Sequence, residues 1–198
     1  MRSPARCETL DDPEATMKRG TTSAVRNLID AAPEAIYDLV ADVTRMGEWS
    51  PECVSCEWID GATGPAVGAR FRGRNRHGLA RWSNKPRVVA ADRGREFGFV
   101  AVDPVGRDMT RWTYRFEPTP TGTEVRESFE MVRNIPLYIR LFDRWIMGVK
   151  DRRADLEANM RRTLACIKTV ADNAHLDHTE APSPTICKTK WIMKRPAP

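Results

Sequence analysis

No stretch of this 198-residue chain is apolar for long enough to cross a bilayer as a helix. The most apolar segment, residues 135–149, is interrupted by Arg140, Asp143 and Arg144. The opening MRSPARCETLDDPE has no hydrophobic core segment, so it does not read as a secretory signal, and a cytoplasmic location is expected. Cysteine is scarce and odd in number: Cys7, Cys53, Cys56, Cys166 and Cys187. An odd count in a chain read as unexported argues against a disulfide framework. Cys53 and Cys56 form one isolated CxxC. A zinc site would want a second pair or well-spaced histidines, and the histidines are His77, His175 and His178, two of them in a tail-like stretch. No metal is expected, and the pair reads as reduced, partly buried thiols. GxGxxG and P-loop motifs are absent, so nucleotide-dependent catalysis has no seat and no cofactor is expected. His77, in a turn beside Gly78, does not support a serine-type nucleophile system.

What is present is globular composition, 41% apolar and 30% charged, at a length that suits one domain. The net charge of +5 permits an acidic ligand, a nucleic acid or an anionic surface without demanding any of them. Six of the fourteen prolines, Pro4, Pro13, Pro182, Pro184, Pro196 and Pro198, lie near the two ends. Neither end has a sustained amphipathic period. Residues 1–16 and 175–198 are therefore expected to be disordered tails around one domain at 17–174. Met17 directly precedes the first strand-like run and is a candidate translation start. The terminal KTKWIMKR reads as a solvated tail, with weak contact to an anionic membrane as the alternative.

Inside those ends the elements follow a clear order. Residues 21–29 read as a strand. Pro33 opens a helix whose apolar face is Ile36, Leu39, Val40 and Val43, and a short helical turn follows at 44–48. Regularly spaced Gly, Pro and Asp turns up to residue 133 predict a meander of about six antiparallel strands. Val149, Leu156, Met160, Leu164, Ile167 and Ala171 recur with helical spacing, predicting one long amphipathic helix over 149–174. A strongly curved sheet wrapped on that helix buries both apolar faces.

Alternation along the strands sorts their side chains. Phe71 and Asn75 share a face opposite Arg70, Arg72, Arg74 and Arg76. Trp82 and Asn84 share a face in a strand read over 80–88. Trp112 and Tyr114 point inward with Thr110 and Phe116, and Glu127 points inward with Val125, Phe129 and Met131. A few polar groups in an aromatic wall are how apolar pockets orient a ligand, and Met160 of the helix faces the same space. The alternative is a solid core with backbone-bonded asparagines. Glu127 is the candidate general acid/base or hydrogen-bond anchor; a position near the mouth or an ion pair with Arg153 are the structural alternatives. The arginine stripe reads as a solvated face interleaved with acids such as Glu124 and Glu130. With no accompanying nucleic-acid motif, no nucleic-acid partner is expected. Leu137, Tyr138, Ile139, Leu141, Phe142, Trp145 and Ile146 exceed one buried helix face, and a lid, a homodimer patch or a membrane-touching surface are the options.

The segments IDAAPEAIYDLVADVTRMGEWSP, GPAVGARFRGRNR and WTYRFEPTPTGTEVRESFEM, with the long helix after them, resemble the START-like helix-grip (SRPBCC) superfamily, and within it the polyketide cyclase/dehydrases. The resemblance implies an α+β helix-grip fold with an internal pocket for a lipid, polyketide, quinone or sterol-like molecule. It implies a carrier or sensor first, a cyclase/dehydratase-type enzyme second and a partner-binding regulatory module third. The tyrosine of the family's aromatase/cyclases falls at Cys56. Their serine/arginine pair falls at Lys85 and Arg87, or, in a shifted alignment, at Asn84 and Pro86.

Overall fold

The computed structural model describes residues 17–145, 148 and 151–176. Of the expected tails, residues 1–16 and 177–198 lie outside the described residues, as do Ile146 and Val149, whereas His175 and Leu176, expected in the C-terminal tail, are helical. Strand β1 (Thr22–Ile29) leads through Pro33 into α1 (Pro33–Ala41) and a 3₁₀ turn (Val43–Glu48). The strands β2 (Cys53–Ile59), β3 (Arg70–His77), β4 (Ala80–Asn84), β5 (Arg87–Asp92), β6 (Glu96–Val102), β7 (Asp108–Thr119) and β8 (Gly122–Met131) follow, then α2 (Leu137–Trp145) and α3 (Arg152–Leu176). Every pairing is antiparallel, in the order β1-β8-β7-β6-β5-β3-β2, with β4 branching off β3. This is the helix-grip arrangement, a curved sheet closed over α3.

Two boundaries depart from the sequence reading. The expected single strand over 80–88 is two strands, because Pro86 cannot donate to a ladder and the chain changes partner there. β4 stays in a hairpin with β3, whereas β5 joins β6. The long helix begins at Arg152 rather than at 149. Gly148 takes a left-handed φ of 70°, and the Asp151 carboxylate accepts from the Ala154 amide at 3.0 Å as an N-cap.

The core is continuous at one end of the grip. Tyr37 of α1 meets Phe97 and Phe116 edge-on, with centroids 6.2 and 5.9 Å apart, beside Ile29, Val125, Leu164 and Ile167. Buried Thr123 donates to the Ala31 carbonyl at 2.7 Å, tying β8 to the turn into α1. Thr123→Val keeps the shape and strands that carbonyl, so a loss of about 1–2 kcal/mol in urea unfolding is expected. An unchanged midpoint would mean that water reaches the carbonyl.

The arginine stripe is solvated, but its acids are not those expected from the last strand. Glu57 of β2 accepts from Arg72 at 3.0 Å and Arg74 at 3.1 Å, and Asp60 accepts from Arg70 at 3.0 Å. Glu124 instead pairs with Arg26 of β1. Strand order decides this: β8 and β3 are separated by β7, β6 and β5.

Candidate ligand site

A cavity of about 890 Å³ opens beneath the first half of α3. Leu156, Met160 and Thr163 form its helical wall, one and two turns apart on the same face. The second half of the helix, Leu164, Ile167 and Ala171, packs into solid core instead. Across from the helix, β3 contributes Phe71 and Asn75, and β4 contributes Trp82 and Asn84. Trp112 and Tyr114 come from β7, and Glu127 and Met131 from β8. Of the inward set, Phe116 and Val125 join the solid core, and Phe129 is also absent from the cavity wall. That side chain is 1% exposed and lies behind the wall against Trp112, centroids 5.7 Å apart. Alternation gave the correct face for Phe129, whose ring packs on that of Trp112, its register partner in β7.

Glu127 is 3% exposed, and its register partner across β7–β8 is Tyr114. The Tyr114 hydroxyl donates to Oε1 at 2.8 Å, whereas Oε2 is buried with no hydrogen-bond partner. Burial raises the carboxyl to a pKa of about 8, against a smaller lowering by the Tyr114 hydrogen bond. Tyr114 is also raised, by burial first and then by the Glu127 charge. At neutral pH the carboxyl is mostly protonated. Oε1 takes the tyrosine hydrogen bond, which leaves Oε2 as a buried oxygen without a partner, on a residue of the cavity wall. The ion pair with Arg153 does not form, since Arg153 turns to Glu157 at 3.3 Å.

A charged cluster at the start of α3 was not legible in the sequence. Arg152 donates to Glu52 at 3.0 Å and to Asp155 at 2.7 Å; Asn159 also donates to Glu52, at 3.2 Å. His77 Nδ1 lies 3.4 Å from the same carboxylate. Glu52 and Arg152 are a hundred residues apart, and only closure of the grip brings them together. Asn75 and Asn84 face each other at 3.5 Å across the β3–β4 hairpin. Gly73 leaves them room, because a Cβ there would meet Asn84 Oδ1 at 2.8 Å.

Ile135, Tyr138 and Ile139 border the cavity, so the apolar segment around α2 contributes to its closure. Leu137, Tyr138, Leu141 and Trp145 are exposed. The side chains of Phe142 and Ile146 lie outside the described residues. At the positions that the resemblance assigns to cyclase chemistry, Cys56, Lys85 and Asn84 line the cavity. Arg87 instead pairs with Asp108 at 3.1 Å, away from the wall. Among the described residues, no helix is long and apolar enough to cross a membrane.

A sheet gripping one helix around a largely apolar cavity, with a few polar groups set into the wall, defines a module for a hydrophobic small molecule. The chain belongs to the polyketide cyclase/dehydrase and lipid transport family, whose family model matches residues 20–172. A polyketide-cyclase-like protein of Corynebacterium glutamicum is 33% identical, with a TM-score of 0.52 over 82% of this chain and 97% of that one. The di-domain aromatase/cyclase StfQ of the steffimycin biosynthetic pathway shares the fold at 12% identity and a TM-score of 0.61. That match covers 78% of this chain and 51% of StfQ. Major latex-like protein 151 of Panax ginseng shares it at 15% identity and a TM-score of 0.54, over 78% of this chain and 96% of that one. No functionally curated protein matches the chain.

Proposed function

We propose that the protein binds a hydrophobic small molecule bearing a hydroxyl or carbonyl oxygen, as a carrier or sensor. The observation that carries this reading is Glu127 Oε2, a buried polar atom without a partner on the wall of an otherwise largely apolar cavity. An unsatisfied buried donor is costly, and a ligand oxygen offers it the missing acceptor. A volume of about 890 Å³ suits a lipid, polyketide, quinone or sterol-like molecule. The names of the family and of its aromatase/cyclase relative support the same ligand class.

A second reading, turnover of the bound molecule, is favoured by the same carboxyl. A group with a pKa of about 8 is suited to exchange a proton with a ligand oxygen near neutral pH. Arg87 stands off the wall and Cys56 replaces the tyrosine, which puts the carrier reading first.

Native mass spectrometry of freshly purified protein, followed by organic extraction, is expected to find an unmodified apolar ligand in stoichiometric amount. Titration with fatty acids, flavonoids and quinones is expected to change tryptophan emission through Trp82 and Trp112, and Trp82→Phe with Trp112→Phe should remove most of that change. Flat titrations at saturating concentrations, with nothing extracted, would sink the binding reading. Conversion of an added ligand would move the assignment to an enzyme.

A further inference from the structure

The Cys53–Cys56 spacing hides its geometry. Residues three apart on a regular strand face opposite ways. Here Cys53 pairs with Asn75 and Ser55 with Arg74, so β2 spends two residues where β3 spends one. That bulge turns both cysteines to the cavity side, while Val54 faces out and is half exposed. Their sulfurs touch at 3.3 Å without a disulfide, and both residues are buried. A third sulfur completes the group: Met46 Sδ, from the 3₁₀ turn, lies 3.9 Å from Cys56 Sγ. Gly47 permits that approach, since a Cβ there would meet the Val54 carbonyl oxygen at 2.6 Å.

We infer that Met46, Cys53 and Cys56 form a binding site for a soft monovalent ion, Cu(I), in the wall of the cavity. Two thiolates and a thioether are a ligand set that selects Cu(I), because the neutral thioether adds little for harder ions. Three sulfurs about 2.3 Å from one ion in a plane lie about 4.0 Å apart. Two of the three separations, 3.3 and 3.9 Å, are already close to that spacing. On binding, the two S–H bonds break as two Cu–S bonds form, the protons pass to solvent, and the thioether donates a lone pair. Copper enters and remains as Cu(I), so no electron is transferred. Hydrogen bonding with Cys53, and then burial, push the Cys56 thiol well above its ordinary range.

The test is anaerobic titration of the reduced full-length chain with Cu(I) against a competing Cu(I) chelator. Cys7→Ser, Cys166→Ser and Cys187→Ser together remove the other thiols. One equivalent is expected to bind. Adding Cys53→Ser or Cys56→Ser should weaken binding at least a hundredfold, and Met46→Leu about tenfold with an unchanged melting temperature of the metal-free protein. X-ray absorption on the copper-loaded unsubstituted chain should show three sulfur neighbours, a readout that stands even if the serine background folds poorly. No stoichiometric Cu(I) binding, binding that survives Cys53→Ser and Cys56→Ser, a Met46→Leu affinity equal to the parent, or a preference for Zn(II) would each overturn the assignment.

Discussion

Glu127→Gln is expected to change stability little at pH 4.5 and to raise it by up to about 5 kcal/mol at pH 9. The folded carboxyl has a pKa of about 8, above the ordinary value of 4.5, because burial disfavours its charged form. Between those values the folded chain holds a proton that the unfolded chain has released, so unfolding releases it and rising pH favours unfolding. The contribution of the protonated carboxyl is fully present below about pH 4.5 and is lost as pH rises through about 8. Glutamine has the same shape and never ionises, so the stability difference between the two proteins follows Glu127 alone. Urea unfolding of both at a series of pH values reads it directly. A difference that does not vary with pH would mean that Glu127 ionises normally, in water. The same variant separates the functional readings. Loss of roughly 1 kcal/mol of ligand affinity marks an anchor, whereas retained binding with abolished turnover marks an acid/base.

Ile167→Ala is expected to cost about 3–4 kcal/mol, and Met160→Ala clearly less, about 1–2 kcal/mol. The two side chains are 0% and 1% exposed, so burial alone predicts similar costs. Their surroundings differ. Ile167 is enclosed by core side chains, and its truncation leaves a new void. Met160 borders the cavity and has fewer contacts to lose. Met160→Ala should also alter ligand affinity, which Ile167→Ala should spare at temperatures where it stays folded. Denaturant unfolding and fluorescence titration of the pair check both statements. Equal losses of stability would indicate that side chains fill the space beneath Met160.

The order of elements was legible because each leaves a local mark. Pro33 opens a helix, glycine and aspartate mark turns, and the period of Leu156, Met160, Leu164 and Ile167 marks α3. Alternation likewise placed Glu127 and Tyr114 inside. The split at Pro86 was missed because the apolar pattern runs on across it while the hydrogen-bond partner changes. Arg153 was a plausible partner for Glu127 by position along the chain, but on α3 its neighbour one turn on, Glu157, takes it instead.

The sequence by itself determined the order of strands and helices and the inward set of side chains, since strand and helix periods depend on neighbours a few residues away. Its resemblance to the START-like superfamily implied the helix-grip class. Tertiary structure decided where the space lies, because a cavity is what remains after distant elements have packed. It left that space under the first half of α3 and closed the second half around Ile167. It also joined Glu52 to Arg152 across the grip and brought Cys53 and Cys56 to one face through a bulge. The bulge adds one residue to β2 relative to β3, and that pairing between strands is not recorded in the alternation of either strand alone.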